Sequence, residues 1–516
     1  MDGTILAIDR SADLPLGVQL VEGLRRGILG GALRPGDAVP STRSLASELG
    51  VSRSAVVAAY EQLAGEGYLE LRQGAPTRVA ELAEIDADAD LDADVDASSR
   101  HGWRPPGRAT RPPVTTRRPE AAPAEPRIDL VPGRPSTARI DTRAWRSAWR
   151  HAATLEIPSD SPPLLGVRRL REEIADHLRQ ARGVACDADD VVVTAGTSEA
   201  VALVASALLM LGDRDRDGDR DDCDDCDGVT VAVEHPGYPS ARRTIERHGA
   251  RTVPVPVDAD GLRVDVLRRM PRAPQAVMVT PSHQYPLGGR LPVSARLALV
   301  EWAHEHGAIV IEDDYDSEFR HLGPPLPALA SLDGANVVLV GSFSKILTPW
   351  LRLGYLVLPA SAAFRDAVAE LRDDEPGPVA GVVQDAAAAL LASGAVRRHI
   401  AATRREYAHR RRLVIEALDG IPHAPLSGLD GGLHAVVRLP DHGAVEAVLA
   451  RLTDAGVAVA TLAEYSAVPG ETEPGIVFGY AGASDTQLAE ALALIRAVIR
   501  DLTLLWTPDA PGPPDR

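Results

Sequence analysis

The chain has 516 residues, 45% of them apolar, with a formal net charge of −18 at pH 7. That length exceeds one ordinary core and points to two or three domains. No basic start followed by an apolar stretch opens the chain, no apolar run reaches the ~20 residues of a bilayer span, and three cysteines (Cys186, Cys223, Cys226) build no disulfide framework; secreted and membrane-spanning classes are set aside, and a cytoplasmic protein is expected.

The first compact stretch covers residues 13–80. A helix is expected from Leu16 to about Gly30, with Pro15 near its start and the Gly30-Gly31 pair at its end. Ser41 is placed to cap a short helix that stops at Gly50, and Ser52 to cap the next, with Val51 and Val56 as a hydrophobic staple. In that helix Val56, Tyr60 and Leu63 recur at i, i+4 and i+7, giving one buried stripe. Arg53 and Ser54, in its first turn, fall on the opposite face. The runs "YLELR" and "TRVA" around "QGAP" read as a β-hairpin. Helix, helix-turn-helix and hairpin make a winged helix-turn-helix.

The run "PSTRSLASELGVSRSAVVAAYEQLAGEGYLELRQGAPTRVA" resembles the DNA-binding domain of the GntR regulator family. The resemblance implies that Arg43, Ser52, Arg53 and Ser54 face DNA, that Gly74 and Thr77 lie in the wing, and that the domain works as a dimer. The tip "RQGAPT" departs from the family's usual Gly-Ser-Gly-Thr.

Residues 81–127 read as a linker. Residues 81–96 hold eight acids and no base, and residues 97–127 hold seven arginines among many prolines. Such stretches bury too little apolar surface to fold. A second acidic run, residues 213–227, carries nine Asp against three Arg. It reads as a surface insertion. The two acidic runs account for −14 of the −18, so the net charge does not exclude a nucleic-acid partner for the first domain. Cys223 and Cys226 form a C-x-x-C there, with no second ligand pair, and no metal site is expected.

Residues 128–505 alternate helix-period segments with short apolar runs: "VVVTAG", "VTVAVE", "QAVMVTP", "AIVIEDD", "NVVLVGS" and "LGYLVL". That alternation predicts a parallel sheet covered by helices, with ligands at the carboxyl ends of the strands. Thr197 and Ser198 follow the first run, Tyr238 the second, Asp313 and Tyr315 the fourth, and Ser342, Ser344, Lys345 and Arg352 the fifth.

Lys345 is the only lysine among 55 basic Lys and Arg residues. Arginine replaces lysine on a surface, but it cannot form an imine. A lone amine at a strand end, beside a carboxylate, phenols, hydroxyls and an arginine, meets the needs of pyridoxal 5′-phosphate (PLP). The aldehyde takes the amine, the ring nitrogen a carboxylate, the phosphate hydroxyls and a guanidinium.

The segments "TPSHQYPLGG", "IEDDYDSEFR", "GSFSKILTPWLRLGY" and "GLDGGLHAVVRLP" resemble the fold-type I aminotransferases. The resemblance implies an α/β PLP-binding fold with a smaller C-terminal α+β subdomain from about residue 385 to 505. It makes Lys345 the Schiff-base lysine, Asp313 the pyridinium partner, Tyr315 the partner of the 3′-oxygen and Tyr238 the ring-stacking aromatic. Thr197, Ser198, Ser342, Ser344 and Arg352 then lie around the phosphate. A GntR-like domain followed by an aminotransferase-like domain is similar to the MocR group of bacterial regulators. That implies a homodimer on promoter DNA, with the aminotransferase-like domain sensing PLP or an amino compound. The alternative is a working aminotransferase with a DNA-binding appendage. Aminotransferases hold the substrate carboxylate with an arginine in an Arg-x-x-aromatic strand. The matching stretch here is "GIVFGYAG", with Val477 at the arginine position and Tyr480 as the aromatic.

Overall fold

The structure, a computed structural model, describes residues 16–29, 32–65, 68–70, 76–80, 126–218, 228–321, 327–468 and 470–503. Gly74, the stretch 81–125, and Cys223 and Cys226 lie outside the described residues.

The first unit is built as its sequence reads. Helix α1 spans Leu16–Leu29, α2 Thr42–Leu49 and α3 Arg53–Gly65. The Ser41 side chain accepts from the Ser44 N–H, and Gly50 ends α2 in the left-handed region at φ 61°. The Ser52 hydroxyl accepts from the Ala55 N–H at 3.2 Å. These contacts satisfy helix-end donors and carbonyls that would otherwise stay open. Val56, Tyr60 and Leu63 are all buried, packed with Leu20 and Leu24 of α1. Tyr60 can be buried because its hydroxyl donates to the Pro40 carbonyl at 2.6 Å. Strands β1 (Leu69–Glu70) and β2 (Arg78–Val79) pair antiparallel as the wing.

The second unit begins with β3 (Ile128–Asp129). Its main sheet contains β4 (Val191–Thr194), β5 (Thr230–His235), β6 (Arg251–Asp258), β7 (Gly261–Leu262), β8 (Ala276–Val279), β9 (Ile309–Asp314), β10 (Val337–Ser342) and β11 (Gly354–Val357). The spatial order is β4-β11-β10-β9-β8-β5-β6-β7. Strands β6, β5, β8, β9 and β10 run parallel. Both faces are covered: Val338 and Val340 of β10 join one buried cluster and Leu339 another.

The expectation of a parallel sheet needs correction. Strand β11 runs antiparallel to both β10 and β4, and β7 antiparallel to β6. The reason is chain length. Only residues 343–353 separate β10 from β11, whereas a parallel return needs a crossover of a dozen residues or more. The acidic run also begins inside a helix: Thr197–Gly218 carries helical structure through residues 213–218.

The smaller subdomain packs helices Ala395–Leu418, His442–Asp454 and Asp485–Thr503 on a sheet of β12 (Leu426–Ser427), β13 (His434–Arg438), β15 (Ala460–Thr461) and β16 (Gly475–Gly479). Leu418, Val448 and Ile495 share a buried cluster with Val437 and Phe478 of the sheet. Strand β14 (Val457–Ala458) pairs with β3, so the stretch entering the second unit is stitched to this subdomain. A two-residue strand has no readable periodicity, so the sequence gives no hint of this pairing. Among the described residues no helix is long and apolar enough to cross a membrane.

Candidate functional site

All nine residues assigned to the cofactor from sequence line one pocket of about 250 Å³: Thr197, Ser198, Tyr238, Asp313, Tyr315, Ser342, Ser344, Lys345 and Arg352. They meet because β4, β5, β9 and β10 are neighbours or near neighbours whose ends, or the turns just after them, open on one side of the sheet. Thr197 and Ser198 start the helix after β4, where backbone N–H groups are unpaired within the helix and favour an anion. Ser342 caps the short helix Phe343–Ile346, its hydroxyl accepting from the Ser344 N–H. That cap aims the turn carrying Lys345 into the pocket.

Lys345 sits at the centre. Its Nζ donates to the Gly133 carbonyl at 2.6 Å. Gly133 has φ +100°, a backbone conformation that favours glycine, and a Cβ there would stand 2.9 Å from Nζ. Burial lowers the pKa of the Lys345 amine, while Asp316 and Asp313 pull it back up. The net direction is downward, toward the neutral amine that nucleophilic attack requires.

Asp313 is 4% exposed, and its Oδ1 has no hydrogen-bond partner in the protein. Burial, then the charges of Asp314, Glu234 and Asp316, push its carboxyl up to about 8. A buried carboxylate oxygen without a donor is costly. A ligand N–H arriving there would satisfy it and favour the ionised form. The pocket therefore fits PLP on the chemistry of its donors: a depressed amine, an unpaired carboxyl, and serine, threonine and arginine side chains.

Aromatic rings build the rest of the wall. Tyr285 meets Tyr315, Tyr238, Tyr465 and His434 edge-on, with ring centroids 5.0–6.1 Å apart. The Tyr315 hydroxyl donates to the His283 carbonyl at 3.0 Å. Pro132, Gly133, Thr280, Tyr285, Pro349, Leu433 and His434 also line the pocket and escaped the sequence reading. Tyr285 and His434 stand within "TPSHQYPLGG" and "GLDGGLHAVVRLP", two of the stretches that carried the resemblance. A histidine and a tyrosine there were the available clue. His283, Asp316 and His434 bring possible ligand atoms within 4.8 Å of one another. Each already has a protein partner: His283 Nδ1 lies 2.8 Å from Asp316 Oδ2, and His434 Nε2 lies 2.9 Å from the Pro286 carbonyl.

Val477, on β16, is fully buried with Val436, Ala460 and Leu462, against Tyr285 and Leu287. Tyr480 is buried too, its hydroxyl donating to the Gly432 carbonyl at 2.9 Å. Among the described residues, Arg352 is the only arginine lining the pocket. On the first unit Arg43, Ser52, Arg53 and Ser54 are all exposed around the start of α2 and α3. Thr77 is half-buried at the wing, its carbonyl accepting from the Val39 N–H at 3.0 Å.

The sequence pattern of "Bacterial regulatory proteins, gntR family" matches residues 16–79, and that of "Aminotransferase class I and II" matches residues 133–495. The HTH-type pyridoxine biosynthesis transcriptional regulator PdxR of Corynebacterium glutamicum is 40% identical over 94% of this chain and 98% of its own. The probable rhizopine catabolism regulatory protein MocR of Rhizobium meliloti is 32% identical over 96% and 95%. The chain belongs to the MocR group of GntR-type regulators. Like other members of the MocR group, it joins a GntR-type helix-turn-helix to a fold-type I aminotransferase domain. The fold of that domain matches the α-aminoadipate aminotransferase LysN of Thermus thermophilus, with TM-score 0.63 at 23% identity, over 73% of this chain and 93% of that one.

Proposed function

We propose that this MocR-type protein is a PLP-dependent transcription regulator: a homodimer that binds promoter DNA through its first unit and senses PLP itself in the pocket of the second. The observation that carries this reading is the meeting of Lys345, an amine biased toward neutrality, with Asp313, a buried carboxyl whose Oδ1 lacks a donor. When bound, PLP supplies an electron sink that can be joined covalently to an amine. Lys345 is the residue for that bond and Asp313 the holder of the ring-nitrogen proton. Tyr315 would meet the 3′-oxygen, Tyr238 would cover a ring face, and Thr197, Ser198, Ser342, Ser344 and Arg352 would hold the phosphate.

The choice of PLP over an amino acid rests on Val477. A bidentate arginine gives a carboxylate both charge and geometry. Valine in an apolar cluster gives neither, and the sole lining arginine is committed to phosphate. The same feature weighs against sustained transamination. The name of the Corynebacterium glutamicum relative, a pyridoxine biosynthesis regulator, points the same way. The test is a titration of operator DNA with apo and PLP-loaded protein, then with loaded protein plus a panel of amino acids including 4-aminobutyrate. Apo and loaded curves are expected to differ with no amino acid present. Identical curves that separate only on adding an amino acid would sink the PLP-sensing reading, and repeated turnover with amino acid and keto acid would favour the enzyme.

On the DNA side, α3 presents Arg53 and Ser54 at its N-terminus, the end that a recognition helix places on base edges. Arg53→Ala is expected to weaken specific binding by about 1–3 kcal/mol, the worth of a bidentate arginine–guanine pair. Binding to unrelated DNA and the cofactor spectrum should not change. An equal loss on every sequence would make Arg53 a phosphate contact instead.

A further inference from the structure

A second buried carboxylate stands behind the cofactor pocket, where it lines a separate cavity with His283. Asp316 is 3% exposed, just beyond the end of β9, and its charge acts on Lys345 at least as strongly as that of Asp313. An uncompensated carboxylate beside an amine favours the ammonium, and an ammonium is no nucleophile. Something must cancel Asp316.

His283 is placed to do so. Its Nδ1 lies 2.8 Å from Asp316 Oδ2 and 3.0 Å from the Tyr315 hydroxyl oxygen. An ionised carboxylate only accepts, so Nδ1 carries the hydrogen and can share it with the phenol oxygen. Burial favours the neutral ring, but the charge of Asp316 and the hydrogen bond to it outweigh burial and raise the His283 pKa, while Nε2 meets no partner at hydrogen-bond geometry. The neighbouring histidines go the other way. His434, with its ring centroid 5.2 Å from that of His283, is pushed down to about 4 by burial and then by His283 itself. His321 is likewise pushed to about 4, by burial and then by Arg411. Of the three imidazoles only His283 is shifted toward the protonated form. The pair is also held sterically: Gly432 has φ +73°, and a Cβ there would come within 2.3 Å of Asp316 Oδ2 and 2.5 Å of His283 Cε1.

We propose that His283 is a positioning residue for the cofactor site: as an imidazolium it cancels Asp316 and hydrogen-bonds the Tyr315 oxygen, leaving Asp313 as the one uncompensated carboxylate beside Lys345. The inference rests on the reading that Lys345 holds PLP.

The experiment is a pH titration of the visible absorption of the full-length protein loaded with PLP. His283→Gln keeps a hydrogen-bonding amide but loses the charge. The midpoint of the bound cofactor's band should rise by about one pH unit or more, the effect of an unpaired carboxylate at this range. Asp316→Asn should leave the midpoint in place or lower it. The double variant His283→Gln/Asp316→Asn should return to within a few tenths of the parent, a rescue that a merely structural role would not produce. An unmoved midpoint in His283→Gln, or a double variant displaced as far as the single, overturns the proposal. If His283→Gln does not fold, Asp316→Asn decides alone: a raised midpoint overturns it. A parent protein with no visible band at all would instead defeat the assignment of PLP to Lys345.

Discussion

Lys345→Arg protein, incubated with PLP, reduced with borohydride and digested, is expected to carry no phosphopyridoxyl group on the peptide containing residue 345. The parent should carry one. The effect is all or none, because a guanidinium keeps the positive charge but cannot close an imine. Few proteins allow so clean a reading: the chain has no other lysine to capture the aldehyde in its place. Arginine also adds bulk where the Gly133 carbonyl and backbone crowd Nζ, so a companion melting curve should accompany the mass measurement. A modified residue-345 peptide in the arginine variant would mean that the adduct is not an imine, and the site would have to be reassigned.

Arg182→Met is expected to destabilise the second unit by about 3–5 kcal/mol, the cost of stranding a buried charge. Arg182 Nε donates to Asp314 Oδ2 at 2.7 Å, with side chains only 1% and 6% exposed. Asp314, Glu312 and Glu318 together hold the Arg182 guanidinium charged against burial. Its Nη2 also donates to the Ser282 hydroxyl at 3.0 Å, tying the loop after β8 to the end of β9. Removing the cation leaves Asp314 without its counter-ion, its charge acting on Asp313 and Glu312 of the same strand. Denaturant unfolding of the loaded protein reads the loss. Arg182→Met/Asp314→Leu should recover most of it, since a buried pair exchanged whole for apolar groups is often neutral. A single variant within about 1 kcal/mol of the parent would show that water or another cation already serves Asp314.

The parts legible in the sequence are those where one residue type does one job at a fixed offset. Ser41 and Gly50 bracket α2 as written, and the Val56-Tyr60-Leu63 stripe is buried. The six apolar runs all became strands of the main sheet, since strands covered on both faces read as unbroken Val, Ile and Leu. The lone lysine, the carboxylate and the hydroxyls lay at or just after strand ends, where topology gathers them. What stayed hidden lacked such a rule. Strand β6, "RTVPVPVD", alternates valine with two prolines, and the prolines read against a strand, although near the sheet margin they cost little. The antiparallel course of β11 depends on a connection length, not on its own residues. His283 and His434 come from loop and subdomain positions far apart in the chain, and only the closed fold makes them neighbours.

The Gly133 carbonyl that receives the Lys345 amine belongs to the first described stretch of the second unit, which is fastened to the smaller subdomain. On either side of it the chain is fastened: β3 is paired with β14, the Leu130 carbonyl accepts from the Gly479 N–H at 2.7 Å, and the Ser136 N–H donates to the Tyr407 hydroxyl at 2.7 Å. A carbonyl compound that claimed the amine would take a donor from this fastened stretch at its midpoint. Occupancy of the pocket and the fastening of residues 128–136 thus meet at the same nitrogen atom.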